Sequence, residues 1–360
     1  MHDLAVALAN AGHEVTYLTM RHWDDEPPSL PGVDVVGLVS PGSVYADGRR
    51  SLGPPARFGL AVGRFLLRHG SRFDVVHTAA FPFFPLIAAA LARRRGGYRL
   101  VADWYEVWSR RYWRRYAGTL VGTIGWLVQR LCIRVRHEAF CISRLTERRL
   151  LEEGFRGPHA VLPGLYAGPV EASPGVVRTP LVVYAGRHVR EKRLPLLVQG
   201  FAAARRELPA LRLALYGDGP DRPSAEVEVE RLGLRDAVEF RGRRPQAEVE
   251  NAFAQASCVA TASEREGYGL IVVEAAARGT PSVVVAGEEN ASTELVVDGV
   301  NGAIASYPTP AALGAAIADV VRAGDALRGT TLGWFADNAD ELRIERSLEL
   351  VRESYAGTSR

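Results

Sequence analysis

The chain has 360 residues, 47% of them apolar and 24% charged, with a formal net charge of +3. That balance marks a soluble globular protein with enough apolar content for two cores, and so small a net charge does not by itself imply a polyanion partner. Cys132, Cys141 and Cys258 sit in apolar stretches without zinc or redox spacing, no apolar run reaches membrane-spanning length, and the start lacks a signal pattern; the expectation is buried thiols in a reducing cytoplasm.

In chain order, Leu4, Ala5, Leu8 and Ala9 have helical spacing and Gly12 closes that helix, after which His13–Thr19 reads as a strand. Val33–Val39 is a second strand, residues 41–55 a Gly/Pro-rich loop, and Ala56–Arg68 a helix. Strand and helix then alternate through Phe73–His77, Pro85–Arg93, Tyr98–Ala102 and, after a long segment to Arg136, the strand Glu138–Ile142 and a helix to Glu153. This alternation predicts a doubly wound parallel sheet, whose strands carry a site at their carboxyl ends, where His77 and the segment Asp103 to Glu106 fall.

Between Arg93 and Arg149 there are 14 arginines and four acids, interleaved with Trp104, Tyr105, Trp108, Tyr112, Trp113, Tyr116 and Trp126. Such a surface suits an anionic membrane or a lipid-linked acceptor, with stacking on a sugar as a second reading and single-stranded nucleic acid behind both. The bland alternative, a solvated arginine face over a tryptophan-filled core, stays open beside them. Residues 164–180 are rich in Gly and Pro and read as a linker between an amino-terminal domain, residues 1–163, and a second Rossmann-like domain, residues 181–325. Residues 326–360 form a helical tail.

The second half is organised around residues 257–286. An apolar strand, Cys258–Thr261, leads through the loop Glu266, Gly267, Tyr268 and Gly269 into a helix that starts near Leu270, closes at Gly279, and feeds the strand Ser282–Ala286. The first turn of a helix presents N–H groups without intrahelical acceptors and favours an anion. Glu266 and Glu274 are eight positions apart, so both carboxylates can border one ligand, and ribose hydroxyls would satisfy a buried one without a cation. Pairing of Glu274 with an arginine, and glycines that merely turn the chain, is the plain alternative. Upstream, the strand Leu181–Ala185 ends in Gly186 and Arg187, with Lys192 five residues on; it is the one lysine in the chain, against 43 arginines. Two cations beside a strand end suit a diphosphate.

The stretches YAGRHVREK (Tyr184–Lys192), LYGDGP (Leu215–Pro220), VEFRGR (Val238–Arg243), EGYGLIVVEAAARGTP (Glu266–Pro281) and ELVVDGVNG (Glu294–Gly302) resemble, in order and spacing, the nucleotide-binding half of the retaining glycosyltransferases of family four, clearly over residues 180–305. The resemblance implies the GT-B architecture, two facing Rossmann-like domains with the site in the cleft between them and a C-terminal helix returning to the first domain. It implies a nucleoside diphosphate sugar as donor substrate, with no separate cofactor. Gly186, Arg187 and Lys192 would meet the diphosphate, Gly242 and Arg243 the base of the nucleotide, Gly269, Leu270 and Ile271 the phosphate from the helix start, Glu274 the ribose and Glu266 the transferred sugar. Tyr105 and His77 occupy positions implied to lie near the transferred sugar and the acceptor. Many relatives carry histidine where this chain has Tyr105, and often a second histidine where it has Ala79; tyrosine is a poor general base near neutral pH.

The family places a strand and a glycine-rich loop before the first helix. Neither is found here, and we expect them upstream of Met1, because removing a central parallel strand exposes two neighbouring edges. No Asp-x-Asp pair is present, so transfer without a metal is expected. The expected activity is glycosyl transfer with retention of configuration to a small-molecule or lipid-linked acceptor, in the cytoplasm or at the inner membrane face. A nucleotide-sugar epimerase on the same architecture, or a non-catalytic sugar-nucleotide-binding partner, are the alternatives.

Overall fold

The computed structural model describes residues 2–41, 45–46, 49–50, 53–169 and 179–356. The chain divides into two units: residues 1–162 with 345–360, and residues 163–344. Residues 170–178 of the expected linker, and parts of the loop expected over 41–55, lie outside the described residues.

The first unit runs α1 (His2–Asn10), β1 (Val15–Met20), β2 (Val33–Val39), a small antiparallel pair β3 (Tyr45–Ala46) and β4 (Arg49–Arg50), α2 (Gly53–His69), β5 (Val75–Ala79), α3 (Phe84–Gly96), β6 (Arg99–Trp104), α4 (Arg110–Ala117), α5 (Thr119–Arg134), β7 (Glu138–Cys141), α6 (Arg144–Glu152) and β8 (His159–Val161). Local chemistry sets several boundaries. The Ser109 and Ser143 hydroxyls accept from the N–H groups of Tyr112 and Thr146 and cap α4 and α6, and Gly97, at φ 74°, closes α3. The long apolar runs are strands because both faces are buried, as Val101 and Ala102 show at 0% exposure.

The strands of this unit form two parallel sheets, β1-β2 and β5-β6-β7-β8, where one continuous sheet was expected. Among the described strands β1 pairs with β2 alone and β5 with β6 alone. Between β1 and β5 lies a cavity of about 370 Å³ lined by Thr16 to Met20 on one side and Val75 to Ala79 on the other.

The second unit runs β9 (Leu181–Ala185), α7 (Leu194–Glu207), β10 (Arg212–Tyr216), α8 (Arg222–Arg231), β11 (Val238–Gly242), α9 (Gln246–Gln255), β12 (Cys258–Ala260), β13 (Arg265–Glu266), α10 (Leu270–Ala276), β14 (Ser282–Val285), β15 (Glu289–Asn290), β16 (Gly302–Ala305) and α11 (Pro310–Leu342), broken at Gly324 by φ 55° and ψ −131°. Its six-stranded sheet is parallel throughout, in the order β11-β10-β9-β12-β14-β16. Ranked along the chain this is 3-2-1-4-5-6, the Rossmann order, which reverses between β9 and β12. Apolar cores cover both faces: Leu197, Phe201, Leu313 and Ile317 on one, Phe253 and Ala275 on the other.

The tail corrects the domain boundaries read from sequence. Residues 326–344 belong to the second unit, because buried Arg328 on α11 donates to the carbonyls of Ala254, Ala256 and Arg278 and Phe335 packs edge-on against Tyr166. The linker likewise begins inside that unit: the Tyr166 N–H donates to Leu342 and its carbonyl accepts from Ile344. Only the last helix, α12 (Ile344–Ala356), groups with the first unit from residue 345, where Val351 joins Val101, Phe140 and Leu162 in one cluster.

Candidate sugar-nucleotide site

The carboxyl ends of β9 and β12 flank the switch point of the second sheet, and a cavity of about 240 Å³ opens there. Its lining brings together Lys192, Glu266, Gly269, Leu270, Ile271 and Glu274 with Tyr184, Ala185 and Thr261. Six of the residues picked out in the sequence thus converge on the place where an open α/β sheet binds ligands.

Two carboxylates are among the lining residues. Glu266 is held in place: Lys192 Nζ donates to Glu266 Oε1, which also accepts from Ser263 Oγ at 2.9 Å, and Ser263 is linked to Thr261 at 2.7 Å. The loop is fixed from behind by buried Asn290, whose amide donates to the carbonyls of Ser263 and Val285 and whose Oδ1 accepts from Ser292 N–H and Oγ. Gly269 is required twice over. Its φ is 103°, and a Cβ there would stand 2.5 Å from Ser292 Cβ and 2.9 Å from Ser292 Cα. The ammonium of Lys192 has three N–H groups, so a bond to Glu266 leaves two for a ligand.

Glu274 lies within the apolar helix α10. Its carboxylate accepts one hydrogen bond, from Gln246 Nε2 at 3.3 Å, and makes no ion pair among the described residues. The nearby guanidinium of Arg278 is held by Glu250 at 2.7 Å, so the pairing of Glu274 with an arginine is not what the fold provides. Burial raises the Glu274 pKa above the ordinary carboxylate value, and the Gln246 bond only partly offsets it.

The remaining donor-side residues are placed differently. Gly186 follows β9, where a Cβ would meet the Tyr184 hydroxyl at 2.8 Å; that hydroxyl donates to the carbonyl of Arg187 at 3.0 Å and fixes the turn. Arg187 and Arg243 are exposed, and neither they nor Gly186 and Gly242 are among the residues lining the cavity. Gly242 has φ 69°, and a Cβ there would meet nothing within 4 Å, so its backbone angle, not crowding, requires glycine. Thr261, Ser263, Asn290 and Ser292 were not singled out in the sequence; a run of small polar residues around a glycine loop was the signal available.

Of the two residues placed near the reaction by resemblance, both lie in the first unit. His77 is engaged at each nitrogen, Nε2 with Asp103 Oδ1 and Nδ1 with Tyr355 Oη, both at 2.6 Å. It therefore ties β5 and β6 to α12 while lining the cavity between β1 and β5. The Tyr105 phenol pKa is raised by burial and then by the Asp103 charge. The tryptophan-rich segment is also core: Trp104 is fully buried and donates to His137, and Gln129 accepts from the Trp113 indole while donating to the Trp108 carbonyl. Aromatic stacking on an acceptor is thus not available to Trp104 or Trp113.

Comparison with known proteins agrees with this geometry unit by unit. Residues 172–328 match the family model described as glycosyl transferases group 1, and residues 1–164 match the glycosyl transferase 4-like domain. Among curated proteins, the chain is 33% identical over 171 residues to a D-inositol 3-phosphate glycosyltransferase of Xylanimonas cellulosilytica, covering 44% of this chain and 40% of that one. It is 29% identical over 176 residues to a GDP-mannose-dependent phosphatidylinositol monomannoside mannosyltransferase of Mycolicibacterium smegmatis, covering 46% of this chain and 45% of that one. The matches therefore span less than half the length of these relatives. Among solved structures, sucrose-phosphate synthase from Thermosynechococcus elongatus superposes with TM-score 0.80 at 19% identity, over 99% of this chain and 92% of that one. HepE of Anabaena in complex with UDP superposes with TM-score 0.71 at 19% identity, over 90% and 86%. With each half matched to a glycosyltransferase domain and the whole to such folds, the chain has the two-domain, Rossmann-like architecture of the GT-B glycosyltransferases.

Proposed function

We propose that this protein transfers a glycosyl group from a nucleoside diphosphate sugar to an acceptor with retention of configuration, and that the second unit holds the donor. The observation that carries the reading is Glu274: a half-buried carboxylate with one amide partner, lining a cavity at the switch point together with Lys192. A vicinal diol fits that need, because two O–H donors would satisfy the carboxylate without introducing charge. Complexes of similarly folded proteins with UDP and UDP-glucose support a nucleoside diphosphate as the donor's leaving group.

In this reading Lys192 and Arg187 balance the diphosphate, whose charge grows as the glycosidic bond breaks. Helix α10 has seven residues, so its dipole adds little beside two full charges. Glu266, set by Lys192 and Ser263, would accept from the donor sugar's hydroxyls. The bond from the anomeric carbon to the β-phosphate oxygen breaks, and the acceptor hydroxyl attacks from the same face. Its proton passes to the departing phosphate oxygen. This route asks nothing of His77 or Tyr105 as a base. The acceptor, small or lipid-linked, and the place of action in the cytoplasm or at the inner membrane face follow the sequence expectation.

The test is calorimetric titration of the chain with a panel of nucleoside diphosphates, with Lys192→Ala and Glu274→Ala alongside. Saturable binding of one nucleotide, weakened by both substitutions and unchanged by EDTA, supports the reading. A folded chain that binds none of them refutes it. Conversion of the donor sugar in the absence of any acceptor would move the assignment to an epimerase.

A further inference from the structure

Helix α5 is mounted on α4 by its small residues. A Cβ at Gly122 would stand 2.2 Å from the Trp113 carbonyl oxygen, and one at Gly125 2.6 Å from the Trp113 ring, so this face is packed closely on α4. Gln129, Cys132 and Ile133 are buried with it. The opposite face is apolar and open: Leu120 is 75% exposed, Leu127 and Leu131 54%, and Val121 and Ile124 52%. At 1.5 Å per residue these side chains make a stripe roughly 16 Å long. From Thr119 to Gln129 the helix carries no charged residue, the first charge after Arg115 being Arg130.

The exposed charges at the two ends of the stripe are cationic, while Glu153 meets α5 from the side, accepting from Trp126 and pairing with Arg130. Arg110, Arg111, Arg114 and Arg115 on α4 are exposed at one end, and Arg134 and Arg136 at the other. From Val107 to His137 the chain has seven arginines and no Asp or Glu.

We propose that this face docks on an anionic lipid bilayer, with the aliphatic stripe entering the interface and the arginines meeting lipid phosphates. No helix among the described residues is long and apolar enough to cross a membrane, so the contact is peripheral, with α5 lying in the interfacial plane. Charge decides between a bilayer and a second copy of the chain. A two-fold contact through α5 would set one arginine rim beside another with no acid from this segment between them, whereas an anionic surface neutralises both ends at once. This inference is independent of the donor site and stands or falls separately from it.

Flotation of the full chain with vesicles tests it. Binding is expected to phosphatidylcholine–phosphatidylglycerol vesicles and to be much weaker with phosphatidylcholine alone. Leu120→Ser with Ile124→Ser and Leu127→Ser should weaken binding at least about a hundredfold. Arg111→Gln and Arg114→Gln should each weaken it about fivefold. All five side chains are exposed, so each variant should keep the thermal midpoint and the nucleotide affinity of the parent, which shows that it is folded. Absence of flotation with the anionic vesicles overturns the proposal, as does flotation that the triple substitution leaves intact. A concentration-dependent dimer in sedimentation, abolished by the same triple substitution, would instead assign the face to a second copy.

Discussion

Glu274 offers a test in which stability and binding must move in opposite directions. In the folded protein its carboxylate is desolvated inside α10 and has a raised pKa. At neutral pH the group is therefore ionised at a cost to the fold. As pH falls through the raised folded-state value, the folded form takes up its proton before the unfolded chain does, so this group's contribution makes the fold more stable on acidification; the gain levels off below the ordinary glutamate value. Glu274→Gln removes the ionisation and keeps the shape and the Gln246 contact. We expect its thermal midpoint at pH 7 to lie above that of the parent, and the difference to shrink as pH is lowered. Nucleotide binding should go the other way. Two hydroxyl bonds to a carboxylate are worth about 1.5–3 kcal/mol each, and glutamine keeps one acceptor oxygen, so the affinity should fall about tenfold or more; Glu274→Ala should lose on the order of a hundredfold or more. The parent's own affinity should decline on acidification at a pH above the ordinary glutamate value. Calorimetric titration and thermal melts of the three proteins across pH 4.5–8, a range spanning roughly the carboxylate to neutral region, measure both quantities. A Glu274→Gln protein that melts lower at pH 7, or that binds nucleotide as the parent does, refutes the argument.

Two further outcomes follow from the packing. Gly269→Ala combines a positive φ with the Ser292 clash, and should cost about 2–4 kcal/mol in urea unfolding while nucleotide affinity falls; an unchanged midpoint would mean that the loop relaxes freely. Tyr355→Phe leaves His77 Nδ1 without its hydroxyl partner and should cost about 1–3 kcal/mol; because this bond joins two elements of the first unit, the loss should appear in the melting curve and not in nucleotide affinity. A variant with normal stability and lost turnover would return His77 to the reaction.

Much of the second unit was legible in the sequence because its signals are local. Apolar runs buried on both faces announce parallel strands, and a glycine loop followed by a short helix brings Glu266, Gly269, Leu270, Ile271 and Glu274 to one place through chain connectivity alone. Lys192 was marked by composition, as the single lysine in the chain. Other features depend on partners that are distant in sequence. Lys192 meets Glu266 across 74 positions, and His77 is bonded by Tyr355 across 278, so neither pairing has a local signature.

The same limit explains the differences between expectation and structure. The helical period shows that α11 and α12 are amphipathic, but not which unit each face will meet; carbonyls of the second unit claim Arg328 and with it the tail to Leu342. Likewise the Arg/Trp-rich segment has the composition of a surface and of a core at once. Tertiary packing decided between them: Gly122 and Gly125 let α5 close on Trp113, the indoles of Trp104 and Trp113 turned inward to His137 and Gln129, and the aliphatic side chains between the arginines were left facing out.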